Sequence, residues 1–393
     1  MPWKERGLAQ MREEFVRRAV SGQESKSALC REYGISRRTG DKWLARFAAG
    51  EPLEDRGRRP FRTPNKISDE TEQLIIACRN EYPMLGAQKI RRILEDRGYT
   101  DLPCAKSVNN ILKRNGLITH EASRAATPYR RFEKSAPNEM WQADYKGNFA
   151  LGDGSRCHPL NIIDDRTRFN LCCKAQATET FEEAKEQFIR VFFEYGLPFS
   201  LLCDNGNPWG ASQSSGFTHF DVWLMELGVL VLHGHPLHPQ TQGKEERFNR
   251  TLTRELLNGR TFADMAEADS AFQAYRAFYN NERPHCALDL EVPAARYVRS
   301  PREYTETVEA WEYPAGYELR KVRENGYISV HGHGYFFSEA FGGKEIAVRE
   351  SRVPGRFNLY FRQFTVGQID LDRRVFTFKK PYLTEGDPRL GDR

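Results

Sequence analysis

The spacing of apolar residues changes character along the 393-residue chain, and no single core can satisfy every pattern it shows. Up to residue 115 the apolar side chains recur at i, i+3 and i+4, as helices require. From Met140 they alternate in short runs and then return to helical spacing. From residue 315 short alternating runs are separated by Gly326, Gly332, Gly334, Gly342, Gly343, Gly355 and Gly367. A chain that switches period in this way is a string of separate modules. Its length, at about 150 residues per domain, points to two to four of them.

The first module reads as three helices. Leu8, Met11, Phe15, Ala19 and Val20 share one face and Gly22 closes that helix. A second helix fits residues 26–33 and a third residues 37–47, with Gly34, Ile35 and Ser36 as the turn between them. Two helices joined by a tight turn, the second basic, form a helix-turn-helix pattern, with Arg37, Arg38, Thr39 and Lys42 opening the helix that would read DNA. A solvated face on a plain three-helix bundle is the bland alternative. Residues 51–66 are rich in Pro and Arg without periodicity, so Arg56, Arg58, Arg59 and Arg62 are expected along a minor groove or on phosphates. Helical spacing resumes after an N-cap at Ser68, over 68–81, 87–97 and 105–115. This second helix-turn-helix unit would present Lys106, Ser107, Asn109, Asn110 and Lys113.

The centre reads as an α/β layer with a mixed sheet. Strands fit 140–149, 157–163 and 169–175, then a helix over 180–195, a strand over 199–203, a helix over 218–227 and a strand over 229–233. The first strand is expected to be half-buried, with Trp141, Ala143, Tyr145 and Phe149 inward and Gln142, Asp144, Lys146 and Asn148 outward. Six short runs between 318 and 370 suggest a small antiparallel barrel.

Charge follows the modules. Residues 1–135 carry ten more basic than acidic side chains, whereas 136–310 carry eight more acidic than basic. Basic flanks around an acidic middle suit a polyanion held by the flanks and cations held in the centre. The longest apolar runs fall far short of a bilayer span, so no membrane segment is expected. Nothing in residues 1–10 has the apolar stretch of a secretory signal, and a cytoplasmic location is expected. Eight scattered cysteines without a C-x-x-C pair read as reduced thiols.

Three acids stand out by position: Asp144 on the first central strand, Asp204 where a buried strand turns at Asp204-Asn205-Gly206, and Glu246 in the first turn of the helix after Gly243. Carboxylates gathered at a sheet rim suit Mg²⁺, and two such ions about 4 Å apart serve phosphodiester cleavage. Each acid alone has an ordinary explanation as a turn, helix-start or strand-face residue. His233, His235 and His238 form an H-x-H-x-x-H string, a weak zinc pattern without accompanying cysteines.

Together with their surroundings these residues resemble a known family. Trp141-Gln142-Ala143-Asp144-Tyr145-Lys146-Gly147, Asp204-Asn205-Gly206, the run His238-Pro239-Gln240-Thr241-Gln242-Gly243-Lys244-Glu245-Glu246-Arg247-Phe248-Asn249-Arg250-Thr251-Leu252, and Tyr279-Asn280-Asn281-Glu282-Arg283-Pro284-His285 with Ala287, Leu288 and Pro293 are similar to the motifs of bacterial insertion-sequence DDE transposases with a retroviral-integrase-type core. The resemblance implies an RNase H-like core and the catalytic, metal-binding acids Asp144, Asp204 and Glu246. Glu245 competes for the third place, and the family's spacing after the glycine selects Glu246. It further implies two Mg²⁺ ions, for which Mn²⁺ substitutes, and DNA contacts from Lys244, Arg247, Asn249 and Arg250 near the scissile phosphate. Asp204 and Glu246 have 41 residues between them, more than in retroviral integrases, and the excess is placed at 208–216.

The expected architecture is thus multidomain: a helix-turn-helix domain (1–50), a basic linker (51–66), a second helix-turn-helix domain (67–119), a linker (120–136), an α/β RNase H-like core (137–300), a linker (301–314), a small β-barrel (315–380) and a tail (381–393). The expected activity is hydrolysis at transposon ends and 3′-hydroxyl strand transfer into target DNA. The expected partners are double-stranded DNA, terminal repeats and target alike, and at least one further copy of the chain in a bacterial, nucleoid-associated complex. The rival from another class is a noncatalytic DNA-binding regulator on an inactive core.

Overall fold

The computed structural model describes residues 7–55, 67–118, 133–210, 216–234 and 243–379, and the backbone of 382–383. Arg56, Arg58, Arg59, Arg62, His235 and His238 lie outside the described residues. The chain divides into two compact units, Met1–Lys66 and Ile67–Arg393.

The first unit holds α1 (Leu8–Val20), α2 (Lys26–Glu32) and α3 (Arg37–Ala48). Ser25 and Ser36 cap α2 and α3, accepting from the amides of Ala28 and Thr39. Phe15, Val16, Leu29, Cys30 and Trp43 form the core. Gly40 lets α3 approach closely, because a β-carbon there would lie 2.8 Å from Cys30 Sγ and 3.0 Å from the Phe15 ring. Arg37, Arg38 and Lys42 remain exposed on the outer face of α3, and Thr39 is half-buried beside the Ser36 cap.

The second unit opens with α4 (Asp69–Glu81), α5 (Ala87–Asp96) and α6 (Ala105–Arg114), packed on Ile75, Ile90, Ile93, Leu94, Val108, Ile111 and Leu112. Ser68 caps α4 through the Thr71 amide, as its sequence position predicts. Lys106, Asn110 and Lys113 are exposed along α6, with Ser107 and Asn109 half-buried.

The central sheet contains β1 (Met140–Tyr145), β2 (Phe149–Ala150), β3 (Arg156–Asp164), β4 (Asn170–Gln176), β5 (Ser200–Cys203), β6 (Leu230–Gly234) and the backbone of the last strand, Tyr382–Leu383. That last strand, β6, β5 and β1 run parallel, while β1, β3 and β4 are antiparallel neighbours. The predicted strand over 140–149 is therefore two, broken at 146–148. Nor is β1 half-buried: it lies between β3 and β5 with helices on both faces, so Gln142 is as buried as Trp141. On one face α7 (Phe181–Tyr195) and α8 (His219–Glu226) cover Trp141, Ala143, Leu160 and Ile162 with Phe188, Phe192 and Phe220. On the other, α9 (Gly243–Leu252), its π-helical continuation Thr253–Leu257 and α10 (Met265–Asn281) cover Ile163, Cys173 and Ala175 with Phe248, Phe272 and Tyr279. Capped by Asp264, α10 also joins the second helix-turn-helix unit to the core: Phe278 stacks on Tyr82 with ring centroids 4.7 Å apart, and the Tyr82 hydroxyl donates to Glu282 at 3.1 Å.

The C-terminal region holds β7 (Glu318–Lys321), β8 (Tyr327–Val330), β9 (His333–Phe336), β10 (Glu345–Glu350), β11 (Arg356–Phe361), β12 (Phe364–Asp370) and β13 (Val375–Phe378), so the Tyr382–Leu383 strand is β14. Among the described residues these strands do not close into the expected barrel. They form an antiparallel five-stranded path, β13-β12-β11-β10-β7, with β8 and β9 as a separate hairpin. Their shared core takes Phe217, Val222 and Met225 from the α8 region, so a helix fills the space a closing strand would need. The expected tail, 381–393, lends β14 to the central sheet, and the expected linker 301–314 begins with Arg302 bonded to the carbonyls of Pro198, Leu227 and Gly228. No helix among the described residues is long and apolar enough to cross a membrane.

Candidate active site

Strand register brings the first two acids together. Met140, Trp141 and Gln142 of β1 pair in parallel with Ser200, Leu201 and Leu202 of β5, and that register continued two residues brings Asp204 level with Asp144. Alternation puts Asp144 on the same face as Gln142, toward α9. Asn249 of α9 donates to Asp144 Oδ2 at 2.8 Å, and Asn161 of β3 donates in turn to Asn249 Oδ1 at 2.8 Å.

Asp204 ends its strand in a turn. The Gly206 amide donates to Asp204 Oδ1 at 2.9 Å and the Asn205 amide side chain donates to Gly234 O at 2.9 Å. His233, fully buried on β6, lies between two acceptors, the carbonyl of Asp204 at 3.1 Å and Asp221 Oδ1 at 3.2 Å. It is a strut beneath the Asp204 turn, and no group of three or more His, Cys, Asp or Glu that could hold a metal ion is found among the described residues. The turn continues to Trp209, which is buried and stacks on Tyr145 at 5.6 Å, so the segment placed as excess loop is anchored in the core at its start. Gly210 is forced: a β-carbon there would sit 1.8 Å from the Asn205 carbonyl oxygen.

Electrostatics set this pair apart. Burial and then the charge of Asp204 push the Asp144 carboxyl up to about 7, with the Asn249 bond opposing. Burial likewise raises Asp204, against the Gly206 amide and His233. Glu179, before α7, adds negative field at both while its own carboxylate bonds His158 Nδ1 at 2.8 Å. Sequence spacing gave no signal for Glu179, because neither strand register nor motif points to it.

The third acid is placed differently. Glu246 lies one helical turn before Asn249, but its carboxylate is 61% exposed and bonded to Arg250 at 2.5 Å. Its neighbour Glu245 points inward, fully buried; burial and the charge of Asp144 push its carboxyl up, with only the Ile163 backbone opposing among the described residues. Lys244, expected on DNA, instead forms an ion pair with the buried Asp165, which also accepts from Lys134 N at 2.8 Å and Gln142 Nε2 at 2.7 Å. This pair ties the start of α9 to the β3–β4 turn. Arg247 and Arg250 are exposed, the latter engaged with Glu246.

The motif at 279–285 fastens the opposite end of the assembly. Asn280 accepts from the Asn170 amide at 2.8 Å and donates to its carbonyl at 2.9 Å, completing β4's edge. Arg283 forms two 2.7 Å bonds to Glu255 in the π-helical turn, and His285 packs edge-on against Tyr279. These residues tie α10 to β4 and to the π-helical turn after α9.

The site is thus two acids at the rim of a mixed sheet, level on neighbouring parallel strands. Residues 11–61 match a helix-turn-helix domain, 39–112 a homeodomain-like domain, 227–293 an integrase core domain and 317–376 the C-terminal domain of IS481 family transposases. Curated relatives of the chain are insertion-sequence proteins. The chain is 23% identical over 363 residues to a putative transposase for the element IS5376 of Geobacillus stearothermophilus, covering 90% of this chain and 85% of that one. It is 24% identical over 265 residues to the transposase InsD of Escherichia coli IS2 elements, covering 61% and 80%. Among solved structures, the HTLV-2 integrase catalytic core domain in complex with magnesium covers 41% of this chain and 97% of its own, at 16% identity and a TM-score of 0.30.

Proposed function

We propose that the chain is a transposase that hydrolyses phosphodiesters at the ends of its element and joins the freed 3′-hydroxyls to target DNA, with Asp144, Asp204 and Glu246 as its catalytic acids. The observation that carries this reading is the Asp144–Asp204 pair, two carboxylates raised by burial on adjacent parallel strands, with the charge of Asp204 raising Asp144 further and few donors opposing it. Such repulsion is relieved by a divalent cation, and an all-oxygen donor set suits magnesium. The residues fit that ion: Asp144 and Asp204 would hold it, and Glu246 completes the set when its side chain leaves Arg250. Magnesium held there would supply activation of the attacking oxygen and stabilisation of the leaving one.

The chain's own groups do the positioning. Asn249, fixed by Asn161, orients the Asp144 carboxylate. Gly206 and His233 hold the Asp204 turn. Arg247 and Arg250, once the latter is released, face the phosphates flanking the scissile bond, while the exposed faces of α3 and α6 read the terminal repeats. Two ends handled together require at least two copies of the chain.

The deciding experiment compares wild type with Asp204→Asn for binding of a labelled element end and for its joining to target DNA with Mg²⁺. Retained binding without joining is expected. Joining that survives the substitution would refute the catalytic assignment and leave the noncatalytic regulator as the better reading.

A further inference from the structure

A cleft of about 440 Å³ opens where the second helix-turn-helix unit meets the core, lined by Gly86, Lys89, Ala105, Lys106, Asn109 and Cys286. Its walls come from three separate places in the sequence: the start of α5, the start of α6 and the loop after α10.

The charge in this cleft is unbalanced. Lys89 is half-buried, and no carboxylate bonds its ammonium among the described residues. Burial first, then the neighbouring Arg283, pull that ammonium down to about 8, with Arg247 of α9 adding to the positive field. The nearby acid, Glu255, is committed to Arg283 through two 2.7 Å bonds. Lys106, at the start of α6, lines the same cleft. Both helices that start here do so without a side-chain cap: Gly86 has none to offer, and Cys104 makes no capping bond. Two helix starts and two lysines thus line one space, a basic setting that suits a phosphate's oxygens. Meanwhile Lys106, Asn110 and Lys113 run along the exposed face of α6, so a bound strand has a polar track leading out of the cleft.

We propose that this cleft seats a backbone phosphate of duplex DNA, clamped between the second helix-turn-helix unit and the core. The clamp rests on the DNA-handling reading above and not on the catalytic one. Arg247, in the field of Lys89, is the residue next to Glu246, so a phosphate seated here fixes the recognised end relative to the candidate catalytic helix. End reading by α6 and cleavage are then held in one register.

Cys286 and Cys104 are exposed whereas the other six cysteines are buried, which allows a direct footprint on the full chain. Alkylation of Cys286 is followed by mass spectrometry with mixed-sequence duplex DNA or with inorganic phosphate present. Duplex DNA is expected to protect Cys286, and Lys89→Gln with Lys106→Ala is expected to remove that protection, weaken DNA binding about tenfold and lower the slope of log K against log salt by about two. Lys89→Arg should restore part of the slope, which a merely misfolded variant would not do. DNA that binds while Cys286 stays fully reactive overturns the proposal, as does protection by inorganic phosphate alone. A chain that shows the footprint and fails to join ends would refute the transposase chemistry and leave the clamp standing.

Discussion

Two pairs of acids sit on the same sheet, and their surroundings are opposite. Asp164 and Asp165, in the β3–β4 turn, accept from six donors: the amides of Asn138, Thr167 and Lys134, the Thr167 hydroxyl, the Gln142 side chain and the Lys244 ammonium. Asp144 and Asp204 accept from Asn249 and the Gly206 amide, and the second-largest influence on Asp144 is the like charge of Asp204. Burial pushes Asp164 up as it does Asp144, but at Asp164 the next influences are donors that oppose it. The lesson is that burial alone does not mark a functional acid. A carboxylate left short of donors beside another carboxylate is built for a ligand the protein does not itself supply, whereas a saturated one is part of the frame.

Removing a frame acid should therefore break the fold. Asp165→Ala removes the carboxylate paired with the Lys244 ammonium, which is only 10% exposed, and loss of one member of a buried pair costs about 3–5 kcal/mol. Urea unfolding should show that loss, and the double change Asp165→Leu with Lys244→Met should recover most of it. An unchanged midpoint in Asp165→Ala would show that this pair is no frame at all.

The same operation on the other pair should have the opposite sign. Asp144→Asn keeps an acceptor for Asn249 and removes a buried like charge, so it should stabilise the chain in chelator at pH 8 by on the order of 2 kcal/mol while abolishing joining. The pH dependence follows. A carboxyl raised from 3.8 to about 7 in the folded state keeps a proton that the unfolded chain has lost, so its contribution to stability falls as pH rises through that window and is flat above it. The difference between wild type and Asp144→Asn, measured from pH 4 to pH 8, should grow across that interval. A difference constant with pH would mean that Asp144 carries no such strain.

A smaller effect sharpens the comparison from the ligand side. Mg²⁺ at about ten times its dissociation constant should raise wild-type stability by about 1.4 kcal/mol and leave Asp204→Asn unmoved. Equal shifts in both would place the cation elsewhere.

How far this contrast was legible beforehand depends on what each feature rests on. Amphipathic spacing and the Ser68 cap marked α1 to α6, because those signals are local. The α10 helix was equally readable in Ala268, Ala271, Phe272, Tyr275 and Tyr279 at helical intervals, yet the motif at its end draws attention first. Asp144 and Asp204 stood out through their motifs, and the register that joins them is a property of strand pairing. Asp165 looked like any turn acid, since its partners Lys134, Gln142 and Lys244 come from three distant places. Trp209 and β14 were invisible for the same reason: what they pack or pair with is set by tertiary structure. The barrel failed because alternating runs fix strands and not closure.

The finest test concerns two adjacent side chains on α9 and should leave stability almost untouched in one of them. Glu246 is exposed and its bond to Arg250 is a surface pair, so Glu246→Gln should not move the urea midpoint, yet joining should be lost if this carboxylate swings to complete the set with Asp144 and Asp204. Burial and the Asp144 charge together push the Glu245 carboxyl well up; Glu245→Gln removes that cost, so it should stabilise the fold and keep joining. The reverse outcome, joining lost in Glu245→Gln and kept in Glu246→Gln with both chains folded, would make the inner glutamate the third acid. The rule drawn from the two pairs would then extend to it, because Glu245 would be another carboxylate short of donors and waiting for a cation.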